Sequence, residues 1–157
     1  MFDMVLLMIS DLYPLIQLIH VLAASMWVGS HLVLVTGPLI KTLRTRDLRY
    51  VLEFYRGFAW PATIALIIAA LTGIYMAYLR APPTSWFDFG TASGRIGEKI
   101  VLFLLLLVIS GYAHARIVPG MRSNNPNVFW RAVAFVIIAT VLSVALPLMG
   151  MMIRYGF

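Results

Sequence analysis

The chain has 157 residues, of which 62% are hydrophobic and 11% charged, with a mean hydropathy of +0.93. A soluble domain is about half apolar and a quarter charged, so this composition excludes one and places the chain in the bilayer. It has no cysteine, which excludes disulfides, iron–sulfur clusters and thiolate metal sites. The net charge of +6 reports on membrane topology and not on nucleic acid.

Spans of about 20 residues predict an all-α fold, an integral membrane four-helix transmembrane bundle with short loops. One transmembrane domain takes up residues 1–157. Residues 1–11, with Asp3 and Asp11, read as an interfacial lead-in. Span one covers about 12–38, with Pro14 early, where its missing N–H costs least, and Gly37-Pro38 as its stop. The basic stretch from Lys41 to Arg56 reads as a loop or surface helix facing lipid head groups.

Span two covers about 58–79 and carries Pro61 and the small pair Thr72-Gly73, which permits close helix contact. Residues 80–95 hold breakers and aromatics, with Trp86 and Phe87 as interfacial anchors. Span three covers about 96–118, where Glu98-Lys99 reads as a boundary ion pair and Pro119-Gly120 as the stop. Span four covers about 128–152 and is interrupted by Pro147.

Basic residues set the orientation. Lys41, Arg44, Arg46, Arg49, Arg56, Arg116, Arg122 and Arg131 lie on one side; Arg80, Arg95, Lys99 and Arg154 lie on the other. The bias predicts a multi-pass plasma-membrane protein with loops one and three in the cytoplasm and both termini outside.

All three histidines fall inside spans, where ionisable groups mark function. His20 and His31 are eleven residues apart, so they share one stripe of a helix at depths separated by roughly 16 Å. Spans one and three run the same way, and counting from their midpoints puts His31 and His114 at one level. Two level imidazoles on separate helices are what a six-coordinate b-type haem requires. His31 and His114 are then the axial ligands, and Arg116 is a candidate propionate contact, with Arg44, Arg56 and Arg131 on the same side. Tyr55, Trp60 and Tyr112 flank the ring. His20 serves a second haem site or hydrogen-bonds a quinone.

Methionine offers the rival chemistry. Met1, Met4, Met8, Met76, Met149, Met151 and Met152 fall toward the outer face, and thioethers with imidazole suit Cu(I). His20 with Met76 and Met149 forms a copper site in that reading. Met76 or Met149 is alternatively the partner of His20 on a second haem. No serine, histidine and carboxylate converge for nucleophilic catalysis.

The pattern His20-x6-Trp27-x-Gly29 resembles the opening of the CopD-like copper-resistance membrane domain. Leu71-Thr72-Gly73, Gly94-Arg95 with Lys99, and His114-Ala-Arg116-Ile-Val-Pro119 extend the resemblance over roughly residues 14–120. The same opening is similar to the HemJ-type protoporphyrinogen oxidases. The resemblance implies a helical bundle with His20 as the shared residue, linked to copper uptake in one branch and to haem or porphyrin chemistry in the other. Trp27 enters the candidate cofactor set through this motif.

The expectation is a haem b protein, with one or two haems, that passes electrons within the membrane as part of a larger redox system. Any enzymatic role is that of an oxidoreductase component. Copper handling through His20 and the outer methionines is the alternative, and porphyrinogen oxidation is the second.

Overall fold

The computed structural model describes the backbone of residues 2–123 and 125–155, and side chains from 12 to 153 apart from 124. Met1 lies outside the described residues, as do the side chains of Asp3, Met4, Met8, Asp11 and Arg154. Four helical segments are long and apolar enough to cross a membrane: Leu12–Thr45, Arg49–Arg80, Gly94–Arg122 and Pro126–Ile153. Inside hydrocarbon each backbone N–H and C=O must find its partner within the segment, so apolar runs of this length become helices.

Helix α1 (Phe2–Leu34) passes through a π-helical turn (Val35–Leu39) directly into α2 (Ile40–Thr45). The expected stop at Gly37-Pro38 is therefore not a stop. Proline lacks an N–H and its ring crowds the preceding turn; the wider turn accommodates it and the helix continues. The expected loop or surface helix of 41–56 is split between two spans. Only Arg46, Asp47 and Leu48 separate α2 from α3 (Arg49–Arg80).

That short reversal is held at both ends. Arg46 takes a left-handed conformation (φ 58°), and its guanidinium lies over the rings of Phe129 and Trp130, 5.0 and 4.9 Å from their centroids. Asp47 accepts from the Arg49 backbone N–H at 3.0 Å and from Arg49 Nε at 2.8 Å. These bonds from Arg49 hold the Asp47 carboxyl below its ordinary value.

After α3 the chain folds back over itself. Trp86 is not the exposed interfacial anchor expected of it: it is buried, with its indole N–H donating to the Ala81 carbonyl and its ring edge-on to Tyr78. Phe87 is exposed. Helix α4 (Gly94–Tyr112) starts where Thr91 Oγ1 accepts the Gly94 N–H. Gly97 donates to the Trp86 carbonyl at 2.9 Å, and a Cβ on Gly97 would collide with that oxygen, so the loop sits directly on the helix.

A second π-helical turn, Ala113–Ile117, leads into α5 (Val118–Arg122). Helix α6 (Phe129–Tyr155) runs unbroken through Pro147. The expected interruption is absent, because transmembrane helices re-satisfy the carbonyl that a proline leaves free.

Packing runs round the bundle. Span one meets spans two and four, span four meets span three, and span two meets the last turns of span three. Spans one and three are thus diagonal. The buried core gathers at the end carrying the basic loops, where Leu39, Leu48, Val51, Leu52, Ile117, Met121, Phe129, Val133 and Val136 interlock. Large apolar side chains such as Leu22, Ile67, Leu71, Val108 and Val141 are exposed, as expected of a surface facing lipid tails. The inward face of α6 is built from small groups at helical spacing, Ala132, Val136, Ala139 and Ser143, which let the neighbouring helices approach.

Candidate functional site

The site is assembled at the end of the bundle opposite the basic loops. His20, on α1, lies against the Thr72-Gly73 pair of α3. Thr72 Oγ1 donates its one hydrogen to the Ile68 carbonyl at 2.6 Å, so toward His20 it can only accept. The 3.0 Å contact between His20 Nδ1 and Thr72 Oγ1 is therefore an Nδ1–H donated to oxygen. In the neutral ring this leaves Nε2 bare, with its lone pair available.

Gly73 explains why the ring fits there. A Cβ at this position would stand 3.1 Å from His20 Cε1, closer than a side chain comfortably tolerates. The small pair read from the sequence as a helix-contact element is thus a seat for the imidazole.

Lys99 reaches the same place from α4. Its Nζ lies against Gly150 of α6, 3.1 Å from where a Cβ would be. It forms no ion pair with Glu98, because adjacent positions on a helix point in different directions. Reading Lys99 as half of a boundary pair missed it as a site residue. The available signal was a lysine within a span. All four spans contribute to this cluster.

Met76 follows Thr72 by four residues and so shares its helix face one turn on. Met149 adjoins Gly150; both methionines are half-buried, whereas Met151 and Met152 are exposed. Among the described residues no three histidine or carboxylate side chains come together as a metal cage.

The other two histidines turn to separate neighbours. His31 Nδ1 donates to the Trp27 carbonyl of its own helix at 3.0 Å, so its Nε2 is bare as well, and its ring packs on Trp27 with centroids 4.7 Å apart. Trp27 donates its indole N–H to Ser143 Oγ at 3.0 Å, tying α1 to the fully buried hydroxyl of α6. Trp27 is thereby a structural tie beside His31. His114 lies in the second π-helical turn, exposed, with Nδ1 hydrogen-bonded to the Tyr55 hydroxyl at 2.7 Å.

Nothing in this arrangement supports a haem b held between His31 and His114. The two rings engage different partners from helices on a diagonal, and Ala113 and Ile117, flanking His114, are packed into the core with Leu39 and Val136. The accessory groups disagree too: Trp60 and Tyr112 are 75% and 54% exposed, and Arg116 is exposed. Position in sequence sets a histidine's depth along its helix, but depth alone does not fix the direction of its ring.

No curated protein and no solved structure matches the chain significantly. The sequence profile of copper resistance protein D, CopD, matches residues 52–152, from the start of α3 to near the end of α6. It takes in Thr72, Gly73, Met76, Lys99, His114, Met149 and Gly150, while the His20-x6-Trp27 opening precedes it. On that match, over most of its length, the chain belongs to the CopD copper resistance protein D family.

Proposed function

We propose that this protein handles copper in the plasma membrane, with its basic end in the cytoplasm and its termini outside. Cu(I) is the cargo. The His20 imidazole receives it, assisted by the thioethers of Met76 and Met149, the soft donor set that suits this ion. The observation that carries the reading is the pinned His20 ring, whose Nδ1–H is donated to Thr72 and whose Nε2 is left bare. Metal-binding histidines are commonly oriented in this way through the other ring nitrogen.

The nearby Lys99 cation opposes a bound metal ion. A passage site must bind well enough to admit its ion and weakly enough to release it, so a fixed positive charge suits transit better than storage. His31, further along the same stripe with its Nε2 also bare, is the next stop toward the basic end. His114, beside Tyr55, completes the series.

The test is Cu(I) uptake into proteoliposomes. His20→Ala is expected to reduce uptake by at least tenfold, and Thr72→Val to lower it by roughly 10–100-fold in apparent affinity through loss of the orienting bond. Unchanged uptake in a folded His20→Ala, Met76→Leu double variant would remove the copper role. A Soret band in the purified protein would reinstate a haem.

A further inference from the structure

A groove of about 420 Å³ opens beside the first π-helical turn, lined by Gly37, Pro38, Lys41, Tyr50, Glu53 and Phe54. Its volume is within the roughly 300–1,000 Å³ range of small-molecule clefts. It lies between the junction of α1 with α2 and the first turns of α3, where the helices leave the hydrocarbon and the basic loops begin. The widened turn and the missing side chain of Gly37 make the space: a Cβ there would meet nothing within 4 Å.

The chemistry of the walls is divided. Pro38 and Phe54 are apolar, while Lys41, Tyr50 and Glu53 supply one cation, one hydroxyl and one carboxylate. Lys41 lies over the Tyr50 ring at 5.3 Å and forms no ion pair with Glu53. The other carboxylate of this end, Asp47, is taken by Arg49. Glu53 is therefore the one acid among the basic residues here that has no ion pair among the described side chains.

We infer that this groove binds a phospholipid whose head group carries a primary amine. The phosphodiester goes to Lys41, the ammonium to Glu53, and the upper acyl chains run along Pro38 and Phe54. A basic membrane face attracts any anionic lipid; Glu53 turns that general attraction into a choice, because it repels a head group that is only negative. A primary ammonium also donates charge-assisted hydrogen bonds, which a quaternary one cannot. The inference stands apart from the copper reading.

The test is native mass spectrometry of the detergent-solubilised full chain with equimolar phosphatidylethanolamine, phosphatidylcholine and phosphatidylglycerol of identical acyl chains. The expected result is about tenfold preferential retention of phosphatidylethanolamine, equivalent to about 1.4 kcal/mol. Glu53→Gln should bring it down to the level of phosphatidylglycerol, and Lys41→Gln should lower retention of all three. Gly37→Leu, which has room to fold, should fill the groove and remove the adduct. Equal or greater retention of phosphatidylglycerol by the unaltered protein would overturn the inference. So would a preference that survives Glu53→Gln or Gly37→Leu, or the absence of any lipid adduct.

Discussion

The two ends of the bundle are built by different means. At the basic end, interlocked side chains from all four spans are buried together, and the turn between spans one and two is fastened by Arg46 stacked on Phe129 and Trp130. At the opposite end the contacts are polar or pass through glycine: His20 on Thr72-Gly73, Lys99 against Gly150, Gly97 against the Trp86 carbonyl. Apolar cohesion is concentrated at the basic end, and the His20 cluster sits where few large side chains hold it. If the site passes an ion as proposed, it gains from that division, because its neighbours can adjust without loosening the core.

Substitutions at the two ends should therefore fail in different ways. Leu39→Ala at the basic end should cost roughly 2–5 kcal/mol, read as a lowered unfolding midpoint in detergent, with transport per folded molecule preserved. Gly73→Ala at the other end should do the reverse. Alanine is a better helix former than glycine by up to about 1 kcal/mol, so stability should stay within about that amount of the parent. The added methyl displaces the His20 ring, and copper uptake should fall severalfold. If Gly73→Ala instead unfolds the protein, the division between the ends is wrong.

Smaller effects sharpen the contrast. Arg46→Ala keeps the left-handed backbone and removes the stack on Phe129 and Trp130, at a cost of about 0.5–1 kcal/mol for an exposed cation–π contact. Unfolding curves should resolve it, while uptake should not change. The smallest effect is a pH dependence. Asp47 is held below its ordinary value by Arg49, so its contribution is fully present above that ordinary carboxylate range and is lost as pH falls through the lowered value. Acid titration of the parent should loosen the 46–48 turn, detectable as faster amide exchange there. Asp47→Asn should show no such transition.

The four spans were legible because length and hydropathy dictate them; a helix is the cheapest way to satisfy a backbone in lipid. His20 was legible from its motif, and Thr72-Gly73 from the smallness of its residues. The direction of His31 and His114 was not. Residue counting fixes height along an axis, but two π-helical turns, one containing His114, shift the register between a residue's position in sequence and the face it occupies. Proline misled in the same way: Pro38 and Pro147 read as breaks, yet one is absorbed by a wider turn and the other by a continuous helix. Lys99 was discounted because it follows Glu98, although neighbours in sequence diverge on a helix. Trp86 was given to the interface on residue type, which says nothing about a carbonyl waiting for its indole.

The three-residue link between α2 and α3 has a bearing on how the protein is made. Spans one and two form the most extensive contact in the bundle, and the Arg46 stack on Phe129 and Trp130 ties their turn to later chain. As the ribosome delivers the amino-terminal half first, this hairpin can close while the rest is still being synthesised. The His20 imidazole can then meet Thr72 before Lys99 has emerged.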